Sequence, residues 1–203
     1  VCDGMGGQQG GNVASQMSRD AIATLLSNNL KKEMNEEEIK EAISEAVFEA
    51  NKLVYEKSLQ DKNLLGMGTT VVLAVLQEKT AYIAHAGDSR AYLLSKGDFT
   101  QLTKDHSFVE MLIDEGEITR SQAQDHPRKN QITRAVGVLP NVEIDFKRLE
   151  LKEGDRILLC SDGLTNTCNS KEMSCVLQMS SLKKAAQTLI EIANAHGGED
   201  NIT

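Results

Sequence analysis

The sequence predicts an α+β fold, a β-sandwich with helices packed outside it. Helices come in pairs, within residues 12–59 and 170–196, whereas strands come in runs, within residues 69–94 and 142–160. Strands in runs favour antiparallel pairing over alternating βαβ units. With 203 residues, 40% of them hydrophobic, the chain can bury one sizeable core.

Each element has its own signal. In residues 12–28, Val13, Met17, Ala21 and Leu25 recur at helical spacing, with Ala14 and Ile22 beside them. Asn35 followed by Glu38 resembles a capping box, which opens a second helix running to about residue 59. Ile39, Ala42, Ile43, Ala46, Val47, Ala50, Leu53 and Val54 mark its inward face. After Gly66-Met67-Gly68 the period changes. Residues 69–76 are β-branched and apolar on both faces, as in a buried strand. Lys79 falls in a turn, residues 80–86 and 89–94 are further strands, and Ser95-Lys96-Gly97-Asp98 is a hairpin turn. Residues 105–135 are polar and rich in His, Asp, Gln and Arg, with short helical pieces at 107–115 and 119–125, so they form a surface insertion. Met111, Leu112 and Ile113 are expected to anchor it to the body. Residues 142–149 and 156–160 are strands, and helices follow at 170–179 and 182–196. The last of these turns Ala185, Ala186, Leu189, Ile190 and Ala193 inward.

The chemistry lies in aspartates. Asp3, in V-C-D-G-M-G-G, and Asp162, in I-L-L-C-S-D-G-L, each end an apolar run and precede a glycine. Asp200 lies in G-G-E-D-N-I-T. A carboxylate at a strand end emerges at the rim of the core, and a glycine beside it permits close backbone approach. Carboxylates gathered there, with exposed carbonyls, suit a hard divalent cation. Plainer readings stand beside this one. Asp3-Gly4 also fits a strand-to-helix turn with Gly4, Gly6, Gly7, Gly10 and Gly11 as a flexible loop, Asp162 an Asx-turn, and Asp200 the start of a last strand. Asp88 interrupts two strands and fits an ordinary surface ion pair with Arg90.

Composition excludes other classes. The net charge of −8 argues against a nucleic-acid binder and against docking on anionic lipid. The glycine-rich loop lacks the G-K-S/T of a nucleotide loop. Cys2, Cys160, Cys168 and Cys175 show no C-x-x-C zinc pattern and read as reduced thiols of a cytoplasmic protein. No stretch approaches a membrane span or a signal peptide. The chain starts inside an apolar run and stops as another begins, so it is expected to continue at both ends.

Five motifs, in this order, span the whole chain: D-G-M-G-G (3–7), G-M-G-T-T (66–70), H-A-G-D-S-R-A-Y (85–92), C-S-D-G-L-T-N (160–166) and G-G-E-D-N-I-T (197–203). The set closely resembles the protein phosphatase 2C family of metal-dependent serine/threonine phosphatases. The bacterial branch is the nearest match, through D-G-M-G-G, K-D-H-S (104–107) and H-P-R-K-N (126–130). The resemblance implies a four-layer αββα sandwich forming a single catalytic domain over residues 1–203, with residues 105–135 as a flap beside the active site. It implies that Asp3 bridges two Mn²⁺ or Mg²⁺ ions, that Gly4 gives a backbone carbonyl to one, and that Asp162 and Asp200 hold the other. Asp88, with Asp162, would hold a possible third ion. It implies attack on phosphoserine or phosphothreonine by a bridging, metal-activated water, in opposition to a bacterial serine/threonine kinase. His126 and Arg128 are candidate contacts for the substrate phosphate.

The chain departs from the family pattern at three points. The N-terminal arginine that grips phosphate, and an acidic ligand near it, have no counterpart in residues 1–203. Met5 stands where animal members carry a proposed histidine acid, and Asn166 where some relatives carry an acidic ligand. Cys2 and Cys160 lack the C-x₅-R of a cysteine phosphatase, so they are expected to be structural. Two other functions fit parts of the pattern: a non-catalytic binding relative, and a two-metal nuclease, which the acidic charge disfavours.

Overall fold

The computed structural model describes residues 1–203, the side chain of Gln8 excepted. A short strand β1 (Gly4–Met5) leads into helix α1 (Gly7–Asn29), and α2 (Glu36–Gln60) lies against it. A 3-10 turn at Lys62–Leu64 precedes β2 (Gly68–Thr69), which pairs with β1. Strands β3 (Val71–Gln77), β4 (Thr80–Ala86), β5 (Arg90–Ser95) and β6 (Asp98–Gln101) follow. The insertion holds α3 (Phe108–Asp114) and α4 (Arg120–Gln124). The chain then forms β7 (Asp145–Glu150), β8 (Arg156–Cys160), α5 (Asp162–Thr165), α6 (Ser170–Leu177) and α7 (Leu182–Ala195).

The strands make two antiparallel three-stranded sheets, ordered β3-β4-β7 and β6-β5-β8. Side chains alternate along each strand, so one strand serves two layers. In β4, Ala81 and Ile83 pack with Ala91, Ile157 and Leu159 of the other sheet. Tyr82 and Ala84 face the opposite way, onto Ile39 and Ile43 of α2. In β5, Ala91 points inward, while Tyr92 and Leu94 meet Met173, Leu177 and Leu189 of α6 and α7. The order of layers is therefore α1/α2, sheet, sheet, α6/α7, as the sequence predicts.

Local chemistry places the ends. Asn35 and Glu38 form the expected capping box, with Glu38 N to Asn35 Oδ1 at 3.1 Å and Asn35 N to Glu38 Oε2 at 2.7 Å. Lys96 (φ 51°) and Gly97 (φ 93°) both adopt positive φ in the β5–β6 hairpin, as a two-residue turn demands.

Some expectations fail in detail. Gly7, Gly10 and Gly11 are the first turns of α1 and not a loop. The strand expected over residues 69–76 breaks at Thr70, whose side chain turns to Asp3 and Ser89. The strand expected from residue 142 begins at Asp145. Leu53 is 47% exposed because the buried stripe of α2 drifts through Ala50, Asn51, Val54 and Ser58. In α7 the buried positions Ala185, Leu189 and Ala193 recur every four residues, which leaves Ala186 and Ile190 one step round, on the outside. Leu112 anchors α3, whereas Met111 is exposed.

Asn51 is fully buried in α2 and holds the chain that follows the insertion. Its Oδ1 accepts from Gly137 N at 2.7 Å, and its Nδ2 donates to the carbonyls of Leu139 and Pro140, each at 3.0 Å. Asn51→Ala leaves three backbone groups without partners. It should cost about 3 kcal/mol of stability, read from a chemical denaturation midpoint. A loss below about 1 kcal/mol would contradict this reading.

Candidate metal centre

Asp3 is held by the two other early motifs. Its carbonyl accepts from Thr70 N and from Thr69 Oγ1, each at 2.8 Å, and its N–H donates to Thr70 Oγ1 at 3.0 Å. Thr70 Oγ1 in turn lies 2.7 Å from Ser89 Oγ, in the strand start that carries Asp88. Sequences 66–70 and 85–92 thus converge on one aspartate.

Glycine is required where backbones touch. A Cβ on Gly4 would lie 2.0 Å from the carbonyl oxygen of Gly11, so α1 starts directly against the Asp3-Gly4 turn. A Cβ on Gly163 would lie 2.4 Å from the carbonyl oxygen of Asn201. The C-terminal segment therefore lies on the first turn of α5. Hydrogen bonds from Ser161 N to the Thr203 carbonyl and from Thr203 N to Ser161 Oγ, each 3.1 Å, fix it there. This brings Asp200 to Asp162. Residues 200–203 form no strand.

The four aspartates feel one another. Asp3 is raised from the usual carboxylate value to about 7, first by burial, then by a hydrogen bond with Asp162 and by the charges of Asp162, Asp200 and Asp88. Asp88 is also raised to about 7, by burial and by the charges of Asp162 and Asp105, against the opposing pull of Arg90. Asp162 Oδ1 is buried and has no hydrogen-bond donor, while Oδ2 accepts from Asn166 Nδ2 at 3.2 Å. A buried carboxylate oxygen without a donor, beside a second carboxyl that burial and neighbouring charge keep protonated, is the setting that a hard divalent cation relieves. The donor set fits such ions. Away from the aspartates, two donor sets bring one ligand atom from each residue within 4.8 Å of the others, His85 with His106 and Asp145, and Cys168 with Glu172 and His196.

These shifts fix a pH dependence. Folded Asp3 and Asp88 keep protons that the unfolded chain has released, so their contribution to stability is present below about pH 4 and lost as pH rises through about 7. Mn²⁺ held by these residues would bind the ionised form and reverse this. In EDTA the melting temperature should fall between about pH 5 and about pH 8, and the increment from Mn²⁺ should grow. Thermal melts across that range test it, and an EDTA curve that rises over the same interval would contradict it.

Arg90 is not the partner of Asp88. It turns to Asp105, with Nη2 to Oδ2 at 2.6 Å and Nε to Oδ1 at 2.8 Å, and its Nη1 donates to the Tyr92 hydroxyl at 3.2 Å. Bidentate geometry favours Asp105 over a neighbour two residues away. Asp105 lies in the K-D-H-S motif, where no local signal points to Arg90. Its nearness to Asp88 is a tertiary fact.

A cleft of about 660 Å³ opens over Asp88, Asp105 and Asp162. Residues of the insertion form one wall, among them Val109, Ile113, Lys129 and Asn130. The ends of the insertion are zipped together, Thr133 N to the His106 carbonyl and Phe108 N to the Gln131 carbonyl, each at 2.8 Å. His106 and Arg134 then meet Asp145 of β7. His85 is a buried core residue, with Nε2 2.8 Å from the Lys104 carbonyl and its ring stacked on His106. His126 and Arg128 do not line the cleft. Arg128 lies over the Phe108 ring at 3.5 Å, its Nε donates to Gln131 Oε1, and its N–H donates to His126 Nδ1. Cys160 is buried, and burial pushes its thiol up to about 12, so it is no nucleophile.

Comparison with known proteins agrees with this arrangement. A sequence model of the family described as Protein phosphatase 2C matches residues 1–200. The chain is 42% identical over 212 residues to the serine/threonine phosphatase stp of Listeria welshimeri, across 100% of this chain and 81% of that protein. The crystal structure of the Mycobacterium tuberculosis serine/threonine phosphatase PstP superposes with a TM-score of 0.91 at 37% identity, over 99% of this chain and 83% of that one. A structure of the catalytic domain of PstP in complex with two manganese ions is 36% identical with a TM-score of 0.87, over 99% of this chain and 82% of that one. Five motifs in order, the αββα layers and the carboxylate cluster between the sheets' ends all have one source: the chain belongs to the protein phosphatase 2C family.

Proposed function

We propose that this protein is a metal-dependent phosphatase that removes phosphate from phosphoserine and phosphothreonine in proteins. The observation that carries this reading is the buried, donorless Asp162 Oδ1 among Asp3, Asp88 and Asp200, at a cleft walled by the insertion. Asp3, Gly4 through its carbonyl, Asp162 and Asp200 would hold two Mn²⁺ or Mg²⁺ ions, and Asp88 with Asp162 would offer oxygen ligands to a third. Bound there, such ions supply an activated water and neutralise the charge of in-line phosphoryl transfer.

The chain's own residues do the positioning. Thr69, Thr70 and Ser89 fix Asp3, and Gly163 lets Asp200 approach. Asp105 keeps Arg90 away from Asp88, which leaves that carboxylate for a cation. Residues 1–203 act as one catalytic domain, and residues 105–135 are the flap that selects the phosphorylated segment. Lys129 presents a cation inside the cleft, whereas His126 and Arg128 meet the substrate outside it. Among the described residues no helix is long and apolar enough to cross a membrane. A cytoplasmic phosphoprotein, including a serine/threonine kinase that this enzyme opposes, is the substrate class that fits. Nucleic acid does not fit the charge of −8.

Phosphate release from a phosphothreonine peptide, with Mn²⁺ and with EDTA, tests the reading. Release that EDTA abolishes is the expected result. A folded protein that binds the peptide with Mn²⁺ present and releases nothing would be a binding module, and cleavage of single-stranded DNA would make it a nuclease.

A further inference from the structure

Cys168, Glu172 and His196 form a second cluster of metal-type donors, on the wall of the same cleft. One ligand atom from each lies within 4.8 Å of the others. They come from three places: the turn after α5, the third position of α6 and the C-cap of α7. His196 Nδ1 lies 2.8 Å from the Thr167 carbonyl. A carbonyl only accepts, so Nδ1 carries the proton of the neutral ring and Nε2 keeps its lone pair. A histidine oriented by a carbonyl on its second nitrogen is the usual arrangement of a metal ligand.

Nε2 faces Glu172 Oε1 at 3.9 Å, too far for a hydrogen bond. The other oxygen, Oε2, accepts from Asn169 N at 2.9 Å, which fixes the carboxylate with Oε1 toward the ring. Cys168 Sγ is buried, with a weak contact to the Leu189 carbonyl at 3.9 Å. Tetrahedral zinc sets its ligand atoms about 3.5 Å apart. The cluster reaches that by closing roughly an ångström, and Glu172 and His196, at 33% and 44% side-chain exposure, have room to move. The His85, His106 and Asp145 set differs. Arg134 Nη1 already sits 2.9 Å from His106 Nε2 and 2.7 Å from Asp145 Oδ1, so a cation is in place there.

We propose that Cys168, Glu172 and His196 bind one Zn²⁺, with the fourth position open to the cleft. Cys168 gives up its thiol proton to solvent as the sulfur–zinc bond forms, and no redox change occurs. The thiolate and imidazole select zinc, whereas Mn²⁺ and Mg²⁺ prefer the oxygen ligands of the aspartates. The ion ties α5, α6 and α7 together beside Asp162.

Cobalt(II) titration of the whole chain, with Mg²⁺ in excess, is the test. One equivalent should give the near-ultraviolet thiolate-to-cobalt charge-transfer band and the intense visible bands of tetrahedral cobalt, and Zn²⁺ should displace both. The bands should survive Asp3→Asn, Asp162→Asn and Asp200→Asn together, and Cys168→Ser should abolish the charge-transfer band. His196→Ala removes a ligand and should weaken cobalt binding by more than the roughly ten- to hundredfold that loss of a ligand's outer partner costs. Absence of the band, or its persistence in Cys168→Ser, overturns the proposal. Should Cys168→Ser fail to fold, unchanged cobalt affinity in His196→Ala overturns it alone.

Discussion

Asp3→Asn, Asp162→Asn and Asp200→Asn, introduced together, should reduce phosphate release by a factor on the order of 10³ or more, to the level seen in EDTA. The same protein should melt in EDTA no lower than the parent. The two outcomes have one cause. The three carboxylates crowd a partly buried site, where burial and mutual charge raise Asp3 to about 7 and leave Asp162 Oδ1 without a donor. On the proposed mechanism, ions held there would relieve that repulsion and supply the chemistry. Asparagine removes the repulsion without the ions, so the metal-free fold loses nothing while the chemistry ends. Phosphate release and melting, measured with Mn²⁺ and with EDTA, separate the effects. Activity within about tenfold of the parent would sink the aspartate mechanism. A fall in the EDTA melting temperature would show that these carboxylates support the fold instead.

Gly163→Ala should weaken Mn²⁺ binding by more than about tenfold and destabilise the protein by about 1–3 kcal/mol. The Cβ would lie 2.4 Å from the carbonyl oxygen of Asn201, and backbone has no rotamer with which to give way. The C-terminal segment must lift, which breaks the paired 3.1 Å hydrogen bonds between Ser161 and Thr203 and moves Asp200 from Asp162. Calorimetric Mn²⁺ titration and a denaturation curve measure both effects. Gly97→Ala, in the β5–β6 hairpin with nothing near its Cβ but at a φ of 93°, should also lose stability yet leave Mn²⁺ affinity unchanged, so it separates loss of stability from loss of the metal contact. Unchanged Mn²⁺ affinity in Gly163→Ala would remove the role assigned to this contact.

Much of this was legible in the sequence because it is local. The capping box at Asn35, the turn at Lys96-Gly97 and strand β8 over Arg156–Cys160 each depend on residues a few positions apart. Glycines after Asp3 and Asp162 signal close approach, and both meet another backbone. What they meet was not legible. Gly163 approaches residue 201, and Gly4 approaches Gly11, in first turns of α1 that lie ahead of the helical period beginning at residue 12.

The errors share that origin. Sequence nearness offers Asp88 an ion pair with Arg90, two positions away, yet Arg90 pairs with Asp105, fifteen away. Helical spacing puts Leu53 and Ile190 inward, yet the buried stripes miss them by one step. Cys168, Glu172 and His196 carry no spacing pattern at all, and only the meeting of α5, α6 and α7 assembles them. By itself the sequence determined the elements, the layers and the aspartates, because hydrophobic period and local hydrogen bonding act over one or two turns. The tertiary structure alone decided which carboxylates share a charge field, which arginine is withdrawn from it and which wall the flap forms, because electrostatics and backbone contact depend on distance in space and not along the chain.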